Sequence, residues 1–141
     1  MRIEIRKAEL SAWASILTQE NMRRYYETRN IQWKPEHFKE TWDAFENYYI
    51  DSQSQRVGVL RFSFDDSNFY IRDVQVEPNQ QCLGIGSYCL TYAVNLAKDR
   101  GYQFIKLRVF SDNPVVSLYG RHGFKKDSDS NGLTEMSLEL K

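Results

Sequence analysis

Residues 71–100 read IRDVQVEPNQQCLGIGSYCLTYAVNLAKDR. Apolar residues at Ile71, Val74 and Val76 are followed by a break at Pro78-Asn79, two glycines at Gly84 and Gly86, and then a helical period. In that period Leu90, Ala93, Val94 and Ala97 form one apolar stripe, and Gly101 is placed to end it. The predicted order is strand, loop, helix. The first N–H groups of a helix lack internal acceptors and carry the positive end of its dipole, about half a charge, so such a loop is suited to phosphate. Glycine at 84 and 86 removes the Cβ atoms that would hold an anion off those amides. The expected ligand is a phosphorylated cofactor.

What the loop lacks narrows the choice. A Walker A loop needs Gly-Lys-Ser/Thr, whereas here Gly86 is followed by Ser87-Tyr88, with no lysine for a transferring phosphate. A dinucleotide fingerprint needs a third glycine where this chain has Cys89. Both readings weaken.

Working outward, 141 residues predict one domain over 1–141, enough chain to bury roughly two thirds of its unfolded surface without a metal or disulfide. Nineteen basic residues balance nineteen acidic ones, which removes the general electrostatic footprint of a nucleic-acid binder. The N-terminal MRIEIRKAEL has no apolar signal core and no later run approaches a membrane span, so a cytosolic protein without membrane attachment is expected. Cys82 and Cys89 are too few for a disulfide scaffold or a zinc site.

Upstream, Ile3 and Ile5 alternate with charges as in a half-buried strand. Ser11 is placed to cap a helix running toward Arg29, with Trp13, Ile16, Leu17, Tyr25 and Tyr26 at its apolar positions. Pro35 opens a second helix in which Phe38, Trp42 and Phe45 fall at helical spacing and read as core. Strands follow at Tyr48–Ile50, Val57–Phe64 and Phe69–Glu77, an antiparallel meander. Downstream, Phe104–Phe110 is a strand parallel to the one before the loop, with the helix as crossover. Asn113-Pro114 starts a last helix carrying Val115, Leu118, Tyr119 and His122 on one face. Gly123 stops it, and a turn over Asp127–Gly132 leads to a closing strand Thr134–Leu140. The fold class is mixed α/β: a central sheet, antiparallel in its first part, a parallel strand-helix-strand unit, and helices on both faces.

Three groups of residues then carry a resemblance. Val74-x-Val76-x-Pro78, Gln81-x-x-Gly84-x-Gly86, and Asn113 followed by Leu118-Tyr119-x-x-x-Gly123-Phe124 are similar, in pattern and separation, to the motifs of the GNAT-family N-acetyltransferases, and the element order matches from residue 1 to 141. The resemblance implies acetyl-CoA as acyl donor, no metal, and direct transfer of acetyl to a primary amine of a small molecule or peptide; homodimers are common in the family. It implies that pantetheine lies between the two parallel strands, on the backbone of Val74 and Val76, with an N–H near Val76 facing the developing oxyanion. The pyrophosphate would rest on amides from Gln81 through Ser87, including Cys82, Gly84 and Gly86, and Asn113 would meet the pantetheine arm as well as cap its helix. Tyr119 would protonate the leaving thiolate, which a phenol of ordinary pKa near ~10 is able to do; by spacing alone, on one face with Val115 and Leu118, it reads as core. Arg121 reaches a phosphate or solvent. The strand glutamate that histone-type members use as a base falls, on a gapless count, at Tyr70. Asp73, Glu77, Glu46 or a water chain remain open as the base. Tyr25, Tyr26, Trp33 and His37, with Met22, Arg23 and Arg24 before them, are expected near the acceptor. The competing readings are a non-catalytic acyl-CoA sensor and, on Arg23-Arg24 and Lys125-Lys126 alone, a nucleic-acid binder.

Overall fold

The computed structural model describes residues 2–140. Its strands are β1 (Ile3–Lys7), β2 (Glu46–Ser52), β3 (Gln55–Phe64), β4 (Asn68–Val76), β5 (Phe104–Phe110), β6 (Lys125–Ser130) and β7 (Leu133–Glu139). The helices are α1 (Ala12–Thr28), α2 (Pro35–Ala44), α3 (Ile85–Asp99) and α4 (Val115–Arg121). All seven strands join one sheet in the order β1-β2-β3-β4-β5-β7-β6, with β4 and β5 parallel and every other pair antiparallel. The mixed architecture read from the sequence is present.

Alternation along the strands divides the core. Ile50, Leu60, Phe62, Phe69 and Ile71 pack with Ile85, Leu90, Ala93 and Tyr119 from α3 and α4. On the other face Tyr49 and Val59 pack with Ala14, Phe38 and Trp42 from α1 and α2. The two-residue period of a strand puts neighbours on opposite faces, so helices cover both.

A bulge in β4 breaks that period. Arg61 faces Asp73 while the adjacent Phe62 faces Ile71, which leaves Arg72 as the extra residue. Before it Phe69 and Ile71 point into the α3 core, and after it Val74 and Val76 do. Without the extra residue Asp73 and Gln75 would point into that apolar layer. The bulge turns them toward α1 and α2.

Three sequence expectations are corrected. Residues 125–130 are a strand, not part of a turn; the turn is Asn131-Gly132 alone, both at positive φ as a tight hairpin requires. KKDSDS lies exposed at the sheet edge, so it has no inward face to produce alternation, and its charges guard the edge against further pairing. Ile16 is 63% exposed rather than packed, and Ser11 makes no side-chain bond to the start of α1. Among the described residues no helix is long and apolar enough to cross a membrane.

Candidate active site

The parallel strands part. Pairing between β4 and β5 covers Asn68–Ile71 against Phe104–Leu107 and then stops, although both strands continue, to Val76 and Phe110. Which backbone groups face the opening follows from the other edge. Glu77 N–H donates to Val57 O at 2.7 Å, toward β3. Because peptide groups alternate in direction along a strand, those of Val76 and Val74 face the gap beside β5. The Val76 carbonyl is already taken: the Asn21 and Gln81 side-chain amides each donate to it at 3.0 Å. The Val74 peptide and the Val76 N–H remain on the open edge.

The loop at the mouth of the gap is shaped for an anion. Cys82 and Gly84 both take positive φ, +63° and +87°; only at Gly84 is that conformation free of a Cβ penalty. Tyr88 N–H donates to Gly84 O at 3.1 Å as the first bond of α3, so the Ile85, Gly86 and Ser87 amides have no helical acceptor. The first turn of α3 carries no acidic side chain to offset its dipole. Gly86 has a second reason to be glycine: a Cβ there would stand 3.0 Å from Leu118 Cδ2, so it also lets α4 approach α3. Ser87 Oγ meets His122 Nε2 at 3.2 Å, tying the start of α3 to the end of α4, while Arg121 is exposed.

Asn113 Oδ1 accepts the Val115 N–H at 3.0 Å, the cap expected of it. That cap orients α4 and, with it, Tyr119, which is buried against Phe124 with ring centroids 5.8 Å apart. The Tyr119 hydroxyl has no hydrogen-bond partner among the described residues. Burial raises its pKa well above the ordinary phenol value, and the charges of Asp73 and Cys89 act in the same direction. Desolvation pushes the neighbouring Cys89 thiol up to about 12.

Asp73 is the carboxylate of this region. It is held by Arg61 Nη1 at 3.0 Å and by Gln75 Nε2 at 3.3 Å. Burial raises its pKa above the usual carboxylate range, against the opposing pull of both partners. Arg61 is itself 2% exposed: it also donates to Asn47 Oδ1 at 3.0 Å and Thr41 Oγ1 at 2.9 Å, and lies over the Phe38 ring at 4.1 Å. Of the other carboxylates considered, Glu46 is engaged by Arg100 at 2.6 Å. Tyr70 sits in the paired part of β4, its hydroxyl on Asp65 at 3.1 Å, at the end of the strand away from the loop.

On the α1 and α2 side, Tyr25 stacks on Phe110 at 5.8 Å, and Tyr26 meets Phe110 at 6.0 Å and Trp33 at 5.6 Å. Burial, then the charge of Asp73, raises the Tyr26 pKa. Trp33 Nε1 is buried without a partner among the described residues. His37 is exposed, and Arg23 pairs with Glu20 at 2.6 Å. The sequence reading did not single out Asn21, Gln75, Arg61 or Phe110. Arg61 alone left a signal, a charge inside the apolar run Val57–Phe64. No cluster of His, Cys, Asp or Glu able to hold a metal occurs among the described residues.

A sheet that opens between two parallel strands beside an uncompensated helix start can take an extended polar chain ending in an anion. Residues 12–124 match the family model for the acetyltransferase (GNAT) family, and the chain belongs to that family. Solved structures agree on the fold. The IAA acetyltransferase from Bacillus cereus ATCC 14579 has a TM-score of 0.79 at 18% identity, over 99% of this chain and 100% of its own. The PaiA N-acetyltransferase from Thermoplasma acidophilum, in complex with coenzyme A, has a TM-score of 0.76 at 17% identity, over 99% and 100%. A GNAT-family acetyltransferase from Elizabethkingia anophelis with acetyl-CoA bound has a TM-score of 0.76 at 17% identity, over 98% of each chain. No curated protein sequence matches the chain.

Proposed function

We propose that this protein is an N-acetyltransferase that takes acetyl-CoA as donor and passes the acetyl group directly to a primary amine. The observation that carries the reading is the open edge of β4, where the Val74 peptide and the Val76 N–H face a gap that β5 does not close. An extended amide chain such as pantetheine fits there as an added strand. The free amides of residues 85–87 and the bend at Cys82–Gly84 suit its diphosphate. The structures with coenzyme A and acetyl-CoA bound support the same donor.

In this reading the Val76 N–H donates to the thioester oxygen as negative charge develops on it, and Tyr119 gives its proton to the departing sulfur. Asp73 receives the proton of the attacking amine, and its raised pKa makes it a stronger base than an exposed carboxylate. Tyr25, Tyr26, Trp33 and Phe110 offer rings to the acceptor. A depression of about 440 Å³ lined by Arg29, Ile31, Phe110 and Leu133 adjoins these rings.

The test is release of free thiol from acetyl-CoA across polyamines, amino acids, aminoglycosides and peptide N-termini, repeated over pH. At least one amine should be acetylated. The rate should fall on acidification with a midpoint above ~3.9, the ordinary aspartate value, because Asp73 must be unprotonated to act. Binding of acetyl-CoA with no transfer to any amine would leave the chain an acyl-CoA sensor.

A further inference from the structure

We infer that Asn21 is a positioning residue for Val76, whose N–H faces the oxyanion, an inference that rests on the function proposed above and assigns to α1 a part in catalysis. Asn21 Nδ2 donates to two acceptors at once, Val76 O at 3.0 Å and Gln75 Oε1 at 3.2 Å. The second bond begins a line with one direction: Gln75 Nε2 donates to Asp73 Oδ1 at 3.3 Å, and Asp73 accepts from Arg61, which is anchored on Thr41 of α2. The Val76 carbonyl is thereby held from two sides, by α1 through Asn21 and by the phosphate loop through Gln81 at 3.0 Å.

That stretch of β4 is paired on one edge only, with β3 through Val76. Past Ile71 the β5 side is open, and past the bulge at Arg72 the ladder to β3 has changed phase. The Val76 carbonyl lies in the peptide unit it shares with the Glu77 N–H, which β3 holds through Val57 O. Asn21 and Gln81 hold its opposite end, so the backbone is fixed just past the Val76 N–H. An oxyanion donor works only when its direction is fixed before charge develops. The Asn21 bond sets the direction of the Val76 residue from the helix that also presents Tyr25 and Tyr26. Acceptor wall and oxyanion donor therefore share one support.

Asn21→Leu removes both bonds at nearly constant volume, and Asn21→Asp puts an oxygen where the donor stood, facing two acceptors. Infrared difference spectra with acetyl-CoA labelled with ¹³C at the thioester carbonyl read the polarisation of that bond directly. Calorimetry with coenzyme A reads binding of the rest of the molecule. The wild type should lower the carbonyl frequency on binding. Both variants should lose half or more of that shift and about 10- to 100-fold in transfer rate, with coenzyme A affinity within about threefold. A full wild-type shift in both variants overturns the positioning role, and so does parallel loss of coenzyme A binding, which would make Asn21 a brace of the loop. Absence of coenzyme A uptake by the wild type would instead remove the underlying function.

Discussion

Tyr119→Phe will lower transfer about 10²- to 10⁴-fold at saturating acetyl-CoA, the range expected for loss of a positioned general acid, with little change in donor affinity. The hydroxyl makes no hydrogen bond within the described protein, so its removal breaks no structural contact, and the ring stays packed on Phe124. Melting should move by no more than a surface substitution moves it, about 0.5 kcal/mol. The raised pKa of Tyr119 looks unfavourable for an acid, but the base is raised too. Cys89, next to it, has a thiol pushed up to about 12 by the same dry surroundings. A thiolate leaving coenzyme A in that place is a far stronger base than in water, where a thiol titrates near ~8.5. Desolvation thus raises acid and base in the same direction. Phenol and thiolate must both be desolvated for this to work, which is why a buried tyrosine is the suitable acid. Turnover and coenzyme A affinity, measured side by side for Tyr119→Phe and wild type, decide the point; unchanged turnover would return Tyr119 to the core.

Arg61→Met should destabilise the fold by about 3–5 kcal/mol, a large share of the roughly 5–15 kcal/mol that holds a domain together. Methionine fills the space against Phe38 but leaves three acceptors without their donor: Asn47 Oδ1, Thr41 Oγ1 and Asp73 Oδ2. The carboxylate dominates the cost, because it stays largely out of water without its hydrogen-bonded counter-ion, left with the Gln75 amide and the field of Arg72. Its pH dependence has a definite sign. Burial already raises the folded-state pKa of Asp73 above its unfolded value, and losing Arg61 raises it further. Stability linked to such a group is fully present below the unfolded value, about 3.9, and is lost as pH rises through the folded one. The gap in melting temperature between Arg61→Met and wild type should therefore narrow as pH falls from 7 toward 5. Adding Asp73→Asn should recover part of the loss, a coupling that a double-mutant cycle measures. A gap independent of pH would show that the ion pair is not the source.

The scaffold was legible because it obeys simple periods. Ile71, Val74 and Val76, the stripe through Leu90 and Ala97, and the break at Pro78 are enough to place β4, α3 and β5, and the structure puts β5 at the same residues, Phe104–Phe110. β6 was not legible, since no side chain of KKDSDS is buried and a strand with nothing to bury leaves no alternation. The site was legible where backbone chemistry decides it, at Gly84, Gly86 and the Asn113 cap, and illegible where tertiary pairing does. Counting without a gap leads to Tyr70, which lies in the paired part of β4; the extra residue at Arg72 shifts the phase beyond it and turns Asp73 toward α1, near Tyr26. Asn21 is one polar residue among several on α1 in sequence. Only the position of α1 across the open edge of β4 gives it two acceptors.

Every role proposed above requires the gap beside Val74 and Val76, with the amides of residues 81–87 at its mouth, to be a seat for coenzyme A. Calorimetric titration of the purified, folded chain tests it without knowledge of the acceptor. Saturable uptake of acetyl-CoA and of coenzyme A at one site per chain is the predicted result; heats no different from dilution, on protein shown to be folded by its melting transition, would contradict it.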